Sequence, residues 1–296
     1  MIALRVPAST SNMGPGFDAL GCAFMLYNRL TFSFAEEDVV TGGDPAFRNR
    51  DNLVLVGFRE ACRSVGIRPC SVSVKIDSEI PPSAGLGSSA SLLTGGIEGA
   101  NLLCGLAMSR EDIFSLVSRL EGHPDNAAPA VFGGLTASLM NRDRCFSVSY
   151  PLAECWRFAA FVSDFTIQTR DSRSRLPAQI PRSDAVFSST RAALLPAALM
   201  GEDPALLSAV FCDRLHEPYR IPAIPDYPLL RELSLTLGAH AFFLSGSGPT
   251  CMAVYTEASF PEKASAAINA LSEESRLRQK WRLLPLSVDR EGLLRE

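Results

Sequence analysis

The chain has 296 residues, 47% of them hydrophobic and 20% charged, with a net charge of −4. Those values suit a folded chain with a sizeable core, as one large unit or two modest domains, and give no global basic field for nucleic acid. No apolar run reaches the roughly 18–20 residues a membrane-spanning helix needs, so neither nucleic acid nor a membrane is expected as a partner.

The start, MIALRVPAST, has no long apolar core behind a basic segment and reads as a first strand rather than a secretory signal. The eight cysteines include no C-x-x-C pair, and there are three histidines. Reduced, mostly buried thiols are therefore expected, not disulfides or a zinc centre, and the cytoplasm is the default compartment.

In chain order, residues 2–6 and 29–34 alternate as strands, and 52–66 has helical spacing. SVSVKID, 71–77, is a further strand that runs into EIPPSAGLGSS. The segment after that loop is a helix rich in small residues, which implies close packing, because glycine inside a helix costs about 1 kcal/mol relative to alanine. SREDIFSLVSRLEG, 109–122, is a helix capped by Ser109 with acids in its first turn.

Strands follow at 133–140 and 145–151. The pattern restarts around 151–156, with RFAAFVSD as the next strand. Helices are expected at 184–200 and 203–215, and the Pro-rich 216–228 is expected to be a loop. A helix then leads to a strand, a glycine turn and a strand within HAFFLSGSGPTCMAVYT. A helix near 260–273 and a strand near 281–288 finish the chain. The absence of a regular βαβ alternation favours α+β. A boundary near 150–156 gives two domains, 1–153 and 154–296.

GLGSS lies between an alternating strand and a helix. It reads either as a tight turn or as a phosphate cradle. The free N–H groups and positive end of a helix N-terminus favour the cradle, with Ser88 and Ser89 hydroxyls available to phosphate or Mg²⁺. It is not a Walker A loop, which requires a lysine, nor a Rossmann G-x-G-x-x-G. Three more stretches draw attention: VPASTSNMGPGFDALGCAF at 6–24, a Gly/Pro loop with Asn12 and Asp18; LEGHPDNAAPAVFGG at 120–134, with Glu121, His123, Asp125 and Asn126; and LSGSGPT at 244–250. Each alone is explained by turns, caps or a solvated side chain. Three glycine loops beside one polar cluster are harder to explain that way.

PPSAGLGSSAS, SGSGPT and VPASTSNMGPGFDALG together resemble the three motifs of the GHMP small-molecule kinases, in that family's order and over essentially the whole chain. NMGPGFDALG with EGHPDNAAPAVFGG resembles, more narrowly, the homoserine kinases. The resemblance implies a ribosomal-protein-S5-like N-terminal domain and a ferredoxin-like C-terminal one. ATP and L-homoserine would be substrates and Mg²⁺ a cofactor, in a step toward threonine. Nucleotide positions would be Asn52, Pro82, Ser83, Ala84, Gly85, Leu86, Gly87, Ser88, Ser89 and Ser91. Ser89 and Glu121 would hold Mg²⁺.

The same resemblance assigns Asn12, Asp18, His123, Asp125 and Arg173 to the substrate, with Arg170 and Arg175 as competing registers. Thr169 would act nearby, and the SGSGPT loop would close the site. Some relatives carry an aspartate at the Asn126 position that can act as a base. Asparagine cannot take a proton, so Asn126 would orient groups instead. A second substrate arginine expected near residue 228 is replaced by Pro228, leaving Arg220 or Arg231 as substitutes. Members of the fold family often dimerise, which leaves a homodimer possible, though the sequence shows no interface. The alternatives are another kinase of the superfamily, or a non-catalytic nucleotide-binding regulator of the same fold.

Overall fold

The computed structural model describes residues 1–142 and 144–296, with Thr169 described through its backbone alone. Its first part contains β1 (Ile2–Ser11), β2 (Leu20–Phe34), β3 (Val39–Gly42), α1 (Leu53–Ser64), β4 (Val72–Ser78), α2 (Ser88–Cys104), α3 (Arg110–Glu121), α4 (Ala127–Phe132), β5 (Leu135–Asn141) and β6 (Arg144–Tyr150). Its second part contains β7 (Arg157–Ser163), α5 (Thr169–Ser174), α6 (Arg182–Met200), α7 (Pro204–Val210), α8 (Glu217–Arg220), α9 (Tyr227–Thr236), β8 (Ala241–Leu244), β9 (Cys251–Tyr255), α10 (Phe260–Glu273), β10 (Trp281–Leu286) and β11 (Leu294–Arg295).

The first sheet has the order β11-β1-β2-β4-β3, with β5 on the far part of β2 and β6 on β5. The β3–β4 pair is parallel and the other pairs are antiparallel. One face carries α1 to α4 over a core that includes Leu4, Leu30, Phe32, Phe58, Ile97 and Phe114. The small residues of α2 explain how its neighbour sits: a Cβ on Gly96 would stand 2.1 Å from the Val54 carbonyl oxygen. Helices α1 and α2 therefore meet backbone to backbone, as the composition of α2 implies.

The second sheet is antiparallel, ordered β10-β7-β9-β8. Numbered by chain order this is 4-1-3-2, and the connections give the β-α-β-β-α-β pattern of a ferredoxin-like unit. Strand β7 is buried on both faces by simple alternation. Phe158, Ala160 and Val162 join the core shared with the first sheet, while Ala159 and Phe161 face the core that contains Leu230, Phe260 and Ile268. The architecture is α+β in two parts.

Several elements differ from the sequence expectation. The 6–24 stretch is mostly strand: β1 runs to Ser11 and β2 starts at Leu20, because the buried Ser9, Thr10 and Ser11 satisfy their backbone by pairing with Ala23, Cys22 and Gly21. The 216–228 loop contains α8, which starts where the Asp213 carboxylate accepts N–H groups of Leu215, His216 and Glu217.

The tail also crosses back. Val288 bridges Phe24, β11 pairs with β1, and Leu293 joins the first core. A division at residue 153 places this tail with the second part, whereas it packs on the first. Asp289 anchors it: buried, it accepts from Tyr27 Oη at 2.8 Å and from the N–H groups of Glu291 and Gly292 at 3.0 and 2.6 Å. Asp289→Ala is expected to lower stability by about 2–4 kcal/mol through loss of these buried bonds. Urea unfolding of the variant checks this, and a change within experimental error would deny the anchor.

Candidate active site

Strand β4 ends just before the glycine loop, and α2 begins just after it. Gly87 is the N-cap of α2 in a left-handed conformation, φ 68°, and a Cβ there would lie 2.1 Å from Ser9 Oγ. The bare backbone thus lets the loop press onto β1 while the first turn of a 17-residue helix points into a cleft of about 570 Å³. The cleft is lined by Pro82, Ser83, Ala84, Gly85, Gly87, Ser88 and Ser89 from the loop, by Phe47, Asn49, Asp51, Asn52 and Leu53 before α1, and by Leu92.

Two positions expected at the nucleotide turn away. Leu86 is fully buried in the apolar core, and Ser91 is buried with Oγ donating to the Val6 carbonyl and accepting from Asn28 Nδ2. Asn52 lines the cleft, but its side chain is engaged as the cap of α1, donating to Phe47 O and accepting from Val54 N.

The third glycine loop, between β8 and β9, is stitched to the first two. Ser245 Oγ donates to Gly85 O at 2.6 Å, Thr250 N to Ala84 O and Gly246 N to Ser11 O. Asn12 Nδ2 donates to Gly246 O, and the Asn12 carbonyl group accepts from Asp18 N. Gly246 and Ser247 reach the cleft wall.

Glu121, the last residue of α3, accepts a hydrogen bond from Ser89 Oγ. Burial raises the Glu121 pKa, with the Asp125 charge adding to it and the Ser89 bond and the His123 charge opposing it. His123 Nδ1 lies 2.6 Å from the buried Asp125 carboxylate. Burial alone would lower His123, but the Asp125 bond, then the charges of Asp125, Glu121 and Asp18, raise it. Asn126, ahead of α4, is fixed at both ends of its amide: Oδ1 accepts from Ser9 Oγ at 2.8 Å and Nδ2 donates to Ser11 Oγ at 2.9 Å.

Arg173 on α5 makes a two-pronged bond to Asp18, 2.8 and 3.0 Å, over the Phe17 ring. Arg170 also lines the cleft, while Arg175 and Arg231 do not. Thr169 opens α5 beside them, and its side chain lies outside the described residues.

Arg220 is what sequence reasoning left open. It is 3% exposed, lines the cleft, and leaves Nε without a hydrogen-bond partner. Its Nη1 donates to Gly246 O at 3.0 Å and to His216 Nδ1 at 3.3 Å. His216 in turn donates from Nε2 to Gly14 O and stacks on Phe17. Burial, helped by the Arg220 charge, pushes His216 down to about 4, so the imidazole is neutral and its Nδ1 lone pair faces the guanidinium. Pro228 sits in the first turn of α9 and does not line the cleft, so the position expected to carry an arginine is not in its wall. Arg220 is there instead, fixed because α8 is capped by Asp213.

Next to it, Glu217 is buried and pushed up to about 8, chiefly by burial, while accepting from Leu244 N at 2.7 Å. The fold therefore favours its protonated form. Its contribution is complete below the ordinary value of 4.5 and is lost as pH rises toward 8. Wild-type stability in urea is expected to decline over that window, and Glu217→Gln, which keeps the acceptor, to flatten the decline. An unchanged slope would refute the assignment.

A glycine-loop helix start, a hydroxyl–carboxylate pair and a pocket of mixed charge thus share one cleft. Residues 52–134 match the family model described as GHMP kinases N terminal domain, and residues 194–275 match that described as GHMP kinases C terminal. A homoserine kinase of Caldicellulosiruptor saccharolyticus is 38% identical, with 99% of this chain and 96% of that one covered. A homoserine kinase of Clostridium botulinum is 36% identical, with 99% and 97% covered.

Among solved structures, the homoserine kinase of Cytophaga hutchinsonii superposes with a TM-score of 0.86 at 26% identity, covering all of this chain and 97% of the other. The mevalonate kinase of Methanococcus jannaschii, at 16% identity and a TM-score of 0.69 over 97% and 98%, shares the fold. With family models on both halves and relatives matched end to end, the chain belongs to the homoserine kinase family of the GHMP kinases.

Proposed function

We propose that the chain transfers the γ-phosphoryl group of ATP to the side-chain hydroxyl of L-homoserine, giving O-phospho-L-homoserine on the route to threonine. The observation that carries this reading is the placement of Asp18, Arg173 and Arg220 in the same cleft as the glycine-loop start of α2. A zwitterion needs one anion for its ammonium and cations for its carboxylate. In this reading Asp18 takes the ammonium, Arg173 and the open Nε edge of Arg220 take the carboxylate, and the His123–Asp125 pair borders the hydroxyl.

The donor set fits Mg²⁺: a hydroxyl and one carboxylate, both hard oxygen ligands, held side by side at the start of α2. Ser89 and Glu121 would hold the ion, which supplies neutralisation of phosphate charge when bound. The N–H groups at the start of α2 hold phosphate oxygens. Asn126, locked by Ser9 and Ser11, orients groups and takes no proton. The hydroxyl proton leaves to phosphate or solvent. We place the reaction in the cytoplasm, where ATP is abundant.

The test is ADP release with ATP and Mg²⁺ against L-homoserine, L-serine, L-threonine, mevalonate and galactose. Turnover on L-homoserine far above the rest is expected. Preference for another alcohol would refute the substrate while keeping the kinase, and ATP binding without turnover on any would refute catalysis.

A further inference from the structure

We propose that Cys70 and Cys104 form an intramolecular disulfide site remote from the cleft. Their sulfurs stand 3.7 Å apart, and both side chains are partly exposed. Cys104 is the last residue of α2 and Cys70 lies two residues before β4. A disulfide holds its sulfurs about 2.05 Å apart, a difference that side-chain rotation at two solvent-accessible positions can close. Cys62, on α1, belongs to the same cluster but is fully buried, so it is shielded from oxidant. Cys22, Cys145 and Cys251 are buried too. Cys155 and Cys212 are partly exposed as well, so what marks out Cys70 and Cys104 is that their sulfurs are already in contact.

The oxidant is a small-molecule disulfide. One protein thiolate attacks a sulfur of that molecule and expels its first thiol. The second protein thiolate then attacks the mixed disulfide and expels the other thiol. Two protein thiols are oxidised, one small disulfide is reduced to two thiols, and the two protons pass to those leaving groups. Burial, then the adjacent Cys104, pushes the Cys70 thiol up to about 11, so little of it is thiolate at neutral pH and the exchange is slow.

The bond would close a loop that contains β4, the glycine loop and α2, joining the base of the strand to the end of the helix farthest from the phosphate turn. At about 1.5 Å per residue, α2 separates the two ends by some 25 Å. Neither cysteine lines the cleft.

The full-length protein is equilibrated with glutathione disulfide, alkylated, and mapped by mass spectrometry without reduction. A Cys70–Cys104 linked peptide is expected in the wild type and in Cys62→Ser, and its loss in Cys70→Ser and in Cys104→Ser. The linked form should keep its ATP affinity within twofold and gain roughly 5 °C in Tm through the constrained unfolded chain. Stable glutathione adducts at both positions without the linked peptide would overturn the proposal. So would a Cys62–Cys104 link in the wild type, or a linked form with a lower Tm, which would show that the fold does not fit the bond. None of these readouts depends on the phosphoryl acceptor.

Discussion

Glu121→Ala is expected to lower kcat by roughly 100-fold or more, with the homoserine KM changed little, because in the proposed mechanism this one carboxylate holds the ion that neutralises phosphate charge. The carboxylate is partly buried and accepts from Ser89, so it is aimed at the first turn of α2. Ser89→Ala removes the neutral one of the two proposed ligands and is expected to cost less, about tenfold. Both variants should need more Mg²⁺ for half-maximal rate. Steady-state kinetics over a Mg²⁺ series separates the cases. Full activity in both variants at low Mg²⁺ would remove these two side chains from the metal site, and an equal loss at all Mg²⁺ levels would assign them a role without metal.

Asp18→Asn should raise the homoserine KM by roughly 10–100-fold, the range for a charge-assisted bond, with the ATP KM within twofold. The free protein pairs Asp18 with Arg173, so each group already has a partner. A ligand that brings both charges can take over that pair without leaving either unpaired, whereas an amine or an acid alone leaves one uncompensated. Arg173→Ala should act on KM in the same direction, and the double variant should fall short of the product of the two, as expected for groups acting as a unit. An ATP KM raised as much as the homoserine KM would place Asp18 outside the substrate pocket, and strictly multiplicative effects would deny the coupling.

Much of the site was legible because its chemistry is local. The glycine loop and its helix, the His123–Asp125 pair two residues apart and the cap of α3 depend on neighbours in sequence. Glu121 was picked out by the same short cluster. Contacts across the fold were not readable. Asp18 and Arg173 lie 155 residues apart, and their pairing depends on how the two parts meet.

Sequence alone left Arg220 and Arg231 as equal candidates to replace the arginine missing at Pro228; only the fold, with Asp213 at the start of α8, shows that Arg220 is the one buried in the cleft wall. The hydroxyls of Ser9 and Ser11 looked like loop residues, yet they hold Asn126 from within β1. Short elements such as β3, α4, α5 and β11 have too few residues to show a period, and β11 exists only through its partner β1. Leu86 and Ser91 share a motif with the loop, but Leu86, just before the cap of α2, and Ser91, in its first turn, are both turned into the interior.

The return of the tail has a consequence for how the protein is made. Glu296 N donates to Ala3 O, so a segment synthesised late covers an edge laid down early. The first part can assemble its helices early in synthesis, but β1 keeps an open edge until β11 has emerged to pair with it. A nascent chain should therefore gain its final resistance to protease only once residues 288–296 are free of the ribosome and β11 can pair with β1.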